Sequence, residues 1–164
     1  MTLITQLAVA TLIVGATVIV HLIGLAMLLA VLRRYRRGAV RSVVVLRNSA
    51  AILVGAFGLF ALHAMEIWIW AYAFYGLGAF ADFELSLYFS TSTYVTIGYG
   101  DVVLPAGLRI LGAIEGASGI ILIGWSTAFF FSIVDRMKLL ERDFDSDHGH
   151  QPAPPPPEGG PPPA

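Results

Sequence analysis

Three long apolar segments constrain this chain more than any other feature of its sequence. They cover residues 3–32, 50–80 and 108–134, and the first of them carries no formal charge. An α-helix rises 1.5 Å per residue, so about 20 apolar residues cross a hydrocarbon core of about 30 Å. Hydrophobic residues make up 57% of the 164 residues and charged residues only 13%. The sequence therefore predicts an all-α membrane protein with three transmembrane helices.

The placement of basic residues predicts the orientation of these helices. Six of the ten basic residues cluster directly after the first apolar segment: Arg33, Arg34, Arg36, Arg37, Arg41 and Arg47. By the positive-inside rule, residues 34–49 form a basic cytoplasmic loop, residues 1–33 form a helix with its N-terminus outside, and the C-terminus is cytoplasmic. A voltage sensor would instead place arginines at every third position within the apolar span. We therefore expect a multi-pass protein of the cell (inner) membrane.

A fourth apolar stretch, residues 83–95, is too short to span a bilayer. It begins beside Asp82 and Glu84, acidic residues that suit a helix N-terminus, and it runs into a polar, glycine-rich sequence. Non-helical backbone at membrane depth requires surrounding protein or a water-filled cavity. These features predict a re-entrant pore helix followed by a pore loop.

The pore loop has the pattern of an ion-selective filter. A dehydrated cation needs oxygen dipoles in place of its water shell, and backbone carbonyls can supply them. Consecutive carbonyls point to one axis only if ordinary and left-handed dihedrals alternate, and glycine adopts left-handed dihedrals without steric cost. Gly98 and Gly100 occupy alternate positions, Thr96 adds a hydroxyl oxygen, and Ile97 and Tyr99 would point away from the axis. One chain cannot surround an ion, so we expect a homotetramer around a central pore.

Residues 96–101, Thr-Ile-Gly-Tyr-Gly-Asp, resemble the potassium-channel signature. Residues 50–136 resemble the pore module of two-transmembrane-type prokaryotic potassium channels. The resemblance implies a pore domain at 50–138, consisting of outer helix, pore helix, filter and inner helix. It also implies passive conduction with no cofactor, and potassium bound at Thr96, Ile97, Gly98 and Tyr99.

The same resemblance implies roles for residues around the filter. In the family, an aromatic pair at the position of Tyr88 and Phe89 braces the filter, and Asp101 closes the signature. The family's inner helix bends at a glycine that matches Gly119. The remaining residues implied for the hinge region and the inner cavity are Ile123, Gly124, Thr127 and Phe131.

Three features depart from the family pattern. Val95 stands where a second threonine usually precedes the filter, and Ser92 stands where some members carry a glutamate. The span at residues 3–32 has no counterpart in a minimal two-span channel. These differences bear on the stability of the filter and on its gating.

Ionisable residues within the spans predict a buried polar cluster. Glu66 and Glu115 both lie about 10–14 Å below the outer surface, and His63 shares a helical face with Glu66. We expect His63, Glu66 and Glu115 to meet behind the filter, with hydroxyls of the pore helix, at Ser90, Ser92 and Thr93, as partners. Two carboxyl groups there would share a proton and make conduction depend on pH. Alternatively, each carboxyl group braces its own helix.

One face of the first helix is polar, because Gln6, Thr17, His21 and Gly24 fall within an arc of about 60°. That face is expected to meet protein instead of lipid. We interpret His21 as a hydrogen-bonded packing residue, and the alternative is a ligand or proton-relay role.

Residues 139–164 turn acidic and then proline-rich, which predicts a disordered tail. Within that tail, His148 and His150 are two possible ligands but not a metal site. We find no grouping of nucleophile and base that indicates an enzyme, and we expect no nucleic-acid partner. The expected partners are potassium ions, the lipid bilayer and three further copies of the chain. The alternative function is a non-conducting membrane subunit or sensor that keeps the pore fold.

Overall fold

The computed structural model describes residues 1–35 and 44–149. Its four helices are α1 (Leu3–Tyr35), α2 (Val44–Gly76), α3 (Phe83–Tyr94) and α4 (Arg109–Gly149), and a 3-10 turn at Ala106–Leu108 precedes α4. Three stretches are long and apolar enough to cross a membrane: Leu3–Arg33, Ser49–Gly76 and Ala106–Asp135. No strand occurs in the two described ranges. The predicted fold class, with three long apolar helices and a shorter helix between the second and third, is confirmed.

Two helices extend beyond the predicted spans. α2 begins at Val44, inside the segment predicted as the basic loop, and α4 continues to Gly149, inside the predicted tail. Residues 139–142, Leu-Leu-Glu-Arg, have high helix propensity, and the first proline of the tail comes only at Pro152. Residues 36–43 of the basic loop and 150–164 of the tail lie outside the described residues.

The core lies where α3 is held between α2 and α4. Trp70 and Phe74 of α2 and Leu111 of α4 are fully buried there, and Phe89 of α3 packs with them. α1 reaches the same cluster through Ala10. The N-terminal helix is therefore packed against α2 and α4 and does not stand apart from them.

The polar face of α1 meets protein, as predicted. Gln6, Thr17 and His21 are buried. The amide oxygen of Gln6 accepts a hydrogen bond from the backbone N–H of Ile110 at 3.3 Å, so α1 caps the first turn of α4. Further along α1, a Cβ at Gly24 would meet the side chain of Leu62. The absence of a side chain at Gly24 lets α1 approach α2 closely.

Gly119 lies against the backbone at the end of α3. It is buried, and a Cβ built there would overlap the carbonyl oxygen of Tyr94. A backbone carbonyl cannot move aside as the end of a flexible side chain does. Gly124, five residues later on the same helix, is exposed and has nothing within 4 Å of such a Cβ.

We expect Gly119→Ala to destabilise the protein by about 1–3 kcal/mol, because the added methyl group pushes α4 away from Tyr94. Gly124→Ala is the matched control, since it makes the same chemical change on the same helix without a clash. Thermal unfolding of each purified variant in detergent measures the difference. Equal unfolding temperatures for the two variants would contradict the packing role of Gly119.

Candidate functional site

The short helix α3 begins with a side-chain cap. Asp82 precedes Phe83 in extended conformation, and its carboxylate accepts a hydrogen bond from the N–H of Leu85 at 2.7 Å. The hydroxyl of Ser86 donates to the backbone oxygen of Asp82 at 3.1 Å. The predicted start of this helix at its acidic residues is confirmed, because Asp82 satisfies one of the unpaired N–H groups of the first turn.

The end of α3 is tied to the loop that follows it. The backbone oxygen of Ser92 accepts from the N–H groups of both Ile97 and Gly98, at 2.8 and 3.0 Å. The N–H of Thr96 donates to the oxygen of Thr93 at 3.0 Å. These bonds reverse the chain directly after the helix, and they fix where the pore loop at residues 96–100 begins.

The pore loop has the alternating backbone that its glycines predict. Thr96, Gly98 and Gly100 have φ values of +62°, +54° and +79°. Thr96 is the one non-glycine residue with positive φ in the described part of the chain. Sequence reasoning assigned left-handed dihedrals to the glycines and missed Thr96, whose branched side chain makes this conformation cost about 1–3 kcal/mol. Every second residue of the loop is thus left-handed.

Side chains of the pore loop are exposed in the single chain. Tyr99 is 71% exposed and Ile97 is 53% exposed. A Cβ at Gly98 or at Gly100 would meet nothing within 4 Å. The chain by itself therefore leaves the loop without packing partners on the side that these residues face.

Beyond the loop, Asp101 is tied back to α3. The hydroxyl of Tyr88 donates to Oδ2 of Asp101 at 2.7 Å, and the N–H of Val102 donates to Oδ1 at 3.0 Å. The bond from Tyr88 holds the pKa of Asp101 below its ordinary value and raises the pKa of Tyr88, because it stabilises the ionised carboxylate and the neutral phenol. Tyr88 and Asp101 are thus joined across the ends of the loop.

The second member of the implied aromatic pair lies elsewhere. The ring of Phe89 packs edge-on against Phe74 at a centroid distance of 5.3 Å, and against Phe80 at the same distance. Phe89 is thus part of the core between α2 and α4. Any support that it gives the loop acts through the position of α3.

The two residues that depart from the family pattern, Ser92 and Val95, have simple local environments. The hydroxyl of Ser92 donates to the backbone oxygen of Phe89 within its own helix, at 3.1 Å. Val95 is exposed. The contribution of Ser92 to the loop therefore comes from its backbone oxygen, and serine supplies that oxygen as well as any other residue would.

Glu66 lies at the centre of a buried polar group. Its Oε1 is 2.8 Å from Nδ1 of His21, and its Oε2 is 2.9 Å from Nδ1 of His63. The hydroxyl of Tyr94 donates to Oε2 as well. His21, Glu66 and Tyr94 are fully buried, and His63 is partly buried. Residues of α1, α2 and α3 meet in this group.

Glu115 belongs to a second, separate group. It accepts from the hydroxyl of Ser90, which also lies 3.0 Å from the backbone oxygen of Ile67. Its Oε2 is buried and has no hydrogen-bond partner among the described residues. No hydrogen bond joins Glu115 to Glu66 or to His63 in this part of the chain. The two carboxyl groups contact α3 one helical turn apart, at Ser90 and Tyr94, and the sharing of a proton between them stays a prediction.

The residues implied for the inner cavity lie along one face of α4. Ile123, Thr127 and Phe131 all line a cavity of about 790 Å³, whose other walls come from α2 and α3. The hydroxyl of Thr127 donates to the backbone oxygen of Ile123 at 2.9 Å. Gly124 lies outside this lining and is exposed.

The sequence does not identify the partner of His21 or the role of Tyr94. His21 is buried and hydrogen-bonded, in agreement with its interpretation as a packing residue, and its partner is Glu66. Tyr94 was not singled out, although it is fully buried and contacts both Glu66 and His63. The position of His21 within the polar arc of α1 indicates that it meets protein. Helical periodicity does not indicate which residue of another helix it contacts.

Comparison with protein-family models matches residues 50–136 to a family described as an ion channel. That range contains all but the first residue of the membrane-spanning part of α2. It also contains α3, the pore loop and the membrane-spanning part of α4. No curated protein and no solved structure matches the chain. Because the matched residues make up more than half of the sequence, this chain belongs to the ion channel family.

Proposed function

We propose that this protein is a homotetrameric potassium-selective channel that conducts passively across a prokaryotic cell (inner) membrane. Its N-terminus lies outside, its C-terminus lies in the cytoplasm, and it needs no cofactor beyond the permeant ion. The observation that carries the proposal is the alternation of left-handed residues at Thr96, Gly98 and Gly100. Such a backbone turns successive carbonyls to one side, where they can replace the water shell of a cation.

The strained conformation of Thr96 supports a functional role for the loop. A branched residue at a φ of +62° persists only where the surrounding structure enforces it, and such residues concentrate at functional sites. Here the bonds from Ser92 and Thr93 hold the loop in place. With Thr96 in this conformation, the alternation of left-handed residues begins at Thr96 and continues at Gly98 and Gly100.

The open side of the loop supports assembly from several copies. Ile97 and Tyr99 are large, largely apolar side chains without packing partners in the single chain, and they flank the backbone that would bind ions. Four chains around one axis would give these side chains neighbours and would complete a cage of oxygens. A single loop provides only one wall of it.

The decisive experiment is an ion flux assay on purified protein in liposomes. We expect uptake of rubidium or potassium down its gradient and no comparable uptake of sodium, because the spacing of carbonyl oxygens favours the larger ion. Liposomes without protein are the control. Equal sodium and potassium flux would contradict selectivity, and no flux at any pH, voltage or lipid composition would favour a non-conducting subunit or sensor.

We expect Gly98→Ala to abolish potassium flux while the oligomer persists. Alanine at a φ of +54° costs about 1–2 kcal/mol and turns the neighbouring carbonyls away, although no atom obstructs its methyl group. Gly78→Ala is the matched control, since Gly78 has a φ of +68° and equally open surroundings but lies in the loop before α3. Both variants should be destabilised similarly, and only Gly98→Ala should lose flux. A conducting Gly98→Ala channel would refute the role of the loop backbone.

Native mass spectrometry of the detergent-solubilised protein should report four copies of the chain. The reason is that one pore loop per chain leaves the ion path incomplete until four loops meet. Chemical cross-linking in the membrane provides an independent measurement. A predominant dimer would contradict the proposed assembly.

A further inference from the structure

The polar group around Glu66 combines side chains that are typical ligands of metal ions. It contains two imidazoles and one carboxylate within membrane-spanning helices: His21 on α1, and His63 and Glu66 on α2. One ligand atom from each residue can be chosen so that all three lie within 4.8 Å of one another. We propose that this group is a binding site for a divalent transition-metal ion of the Zn²⁺ class.

The donor set fits that class of ion. Imidazole nitrogens suit Zn²⁺, Cu²⁺, Ni²⁺ and related ions, and two histidines with one glutamate are a set that zinc adopts in proteins. The phenol oxygen of Tyr94 lies 3.3 Å from Nδ1 of His63 and is hydrogen-bonded to Glu66, so it or a water molecule is placed as a fourth ligand. The chain has no cysteine, so no thiolate competes for the ion.

Binding of an ion requires the ligand atoms to rearrange. Nδ1 of each histidine is 2.8 or 2.9 Å from a carboxylate oxygen of Glu66, which is hydrogen-bond spacing. Ligands about 2.0–2.1 Å from a tetrahedral zinc ion lie about 3.3 Å apart. Each nitrogen–oxygen pair therefore opens by about 0.5 Å when the ion replaces the hydrogen between them, and the three ligand atoms, which lie within 4.8 Å of one another, adopt the spacing of about 3.3 Å.

One ring of the group is incompletely satisfied by protein. Nε2 of His21 is buried and has no hydrogen-bond partner in the described part of the chain, while Nδ1 faces Glu66. If hydrogen sits on Nδ1, a buried nitrogen lone pair is unpaired; if it sits on Nε2, two lone pairs face each other across 2.8 Å. A cation between Nδ1 and the carboxylate removes the second of these conflicts.

Access and charge are also compatible with an ion. His63 is 18% exposed and lines the cavity of about 790 Å³, so one ligand can be reached from outside the core. Two neutral imidazoles and one carboxylate leave a net charge of about +1 on the loaded site, less than the charge of the bare ion. By contrast, the group around Glu115 offers hydroxyl and carbonyl oxygens but no nitrogen ligand among the described residues.

The location of the site gives an ion there a structural consequence. Binding would link α1 to α2 and, through Tyr94, to the last residue of α3. Tyr94 precedes Thr96, the first strained residue of the pore loop, by two positions. A metal ion would thus hold the N-terminal helix against the base of the loop.

The test is metal binding by the full-length protein, purified with a tag that contains no histidine and stripped with a chelator. His148→Ala/His150→Ala serves as the background, because it removes the two other histidines of the sequence. After prolonged incubation with Zn²⁺ and desalting, elemental analysis should give about one zinc per chain. X-ray absorption should show nitrogen and oxygen neighbours at about 2.0–2.1 Å, and Co²⁺ should give the visible spectrum of a tetrahedral site.

Three variants in that background remove one ligand each: His21→Gln, His63→Gln and Glu66→Gln. Each should bind zinc at least about tenfold more weakly than the background. Substitutions of residues that only support the metal ligands already weaken binding by that factor, so loss of a ligand should cost at least as much. Glu115→Gln is the matched control, since it alters the neighbouring buried carboxyl group and should leave zinc binding unchanged. His63 is the least buried ligand, so its variant carries the test if the other two fail to fold.

The proposal is overturned if the background binds no zinc, if His63→Gln and Glu66→Gln bind it as the background does, or if Glu115→Gln loses it equally. Metal content is measured without ion flux. A protein that failed to conduct potassium would therefore leave this test intact, and a potassium channel without bound zinc would refute this inference alone.

Discussion

The hydrogen-bonding requirement of the short helix α3 governs how the other helices are placed. In hydrocarbon, an unpaired backbone or side-chain polar group costs several kcal/mol, and α3 ends in irregular backbone. The spanning helices accept hydrogen bonds from α3 at two points one turn apart. Glu115 of α4 accepts from Ser90, and Glu66 of α2 accepts from Tyr94. Costly carboxyl groups within apolar spans thus orient the helix from which the pore loop extends.

The same requirement explains why the N-terminal helix packs against the family domain. Glu66 brings two carboxyl oxygens into the core, and α1 supplies His21 to one of them. At its other end α1 supplies Gln6 to the first turn of α4, where an N–H group would otherwise be unpaired. α1 lies outside the residues that match the ion channel family, yet it satisfies polar groups inside them.

The pore loop depends on close backbone contact as well as on hydrogen bonds. Gly119 lets α4 reach the carbonyl of Tyr94, which leaves no space for a side chain at that position of α4. The next residues turn back on the oxygen of Ser92 and hold Thr96 in a left-handed conformation that it would not adopt freely. Strain at Thr96 is sustained because packing on one side and hydrogen bonds on the other leave no relaxed alternative.

The sequence by itself determined the features that follow from composition and local chemistry. Apolar length predicted the three spans, Asp82 predicted the start of α3, alternate glycines predicted the loop backbone, and the polar arc of α1 predicted its buried face. Tertiary structure alone decided which groups meet. It joined His21 and Tyr94 to Glu66, kept Glu115 apart with Ser90, and imposed a left-handed φ on Thr96. The physical reason is that periodicity specifies which face of a helix is buried, whereas the rotation and depth at which two helices pack specify which side chains touch.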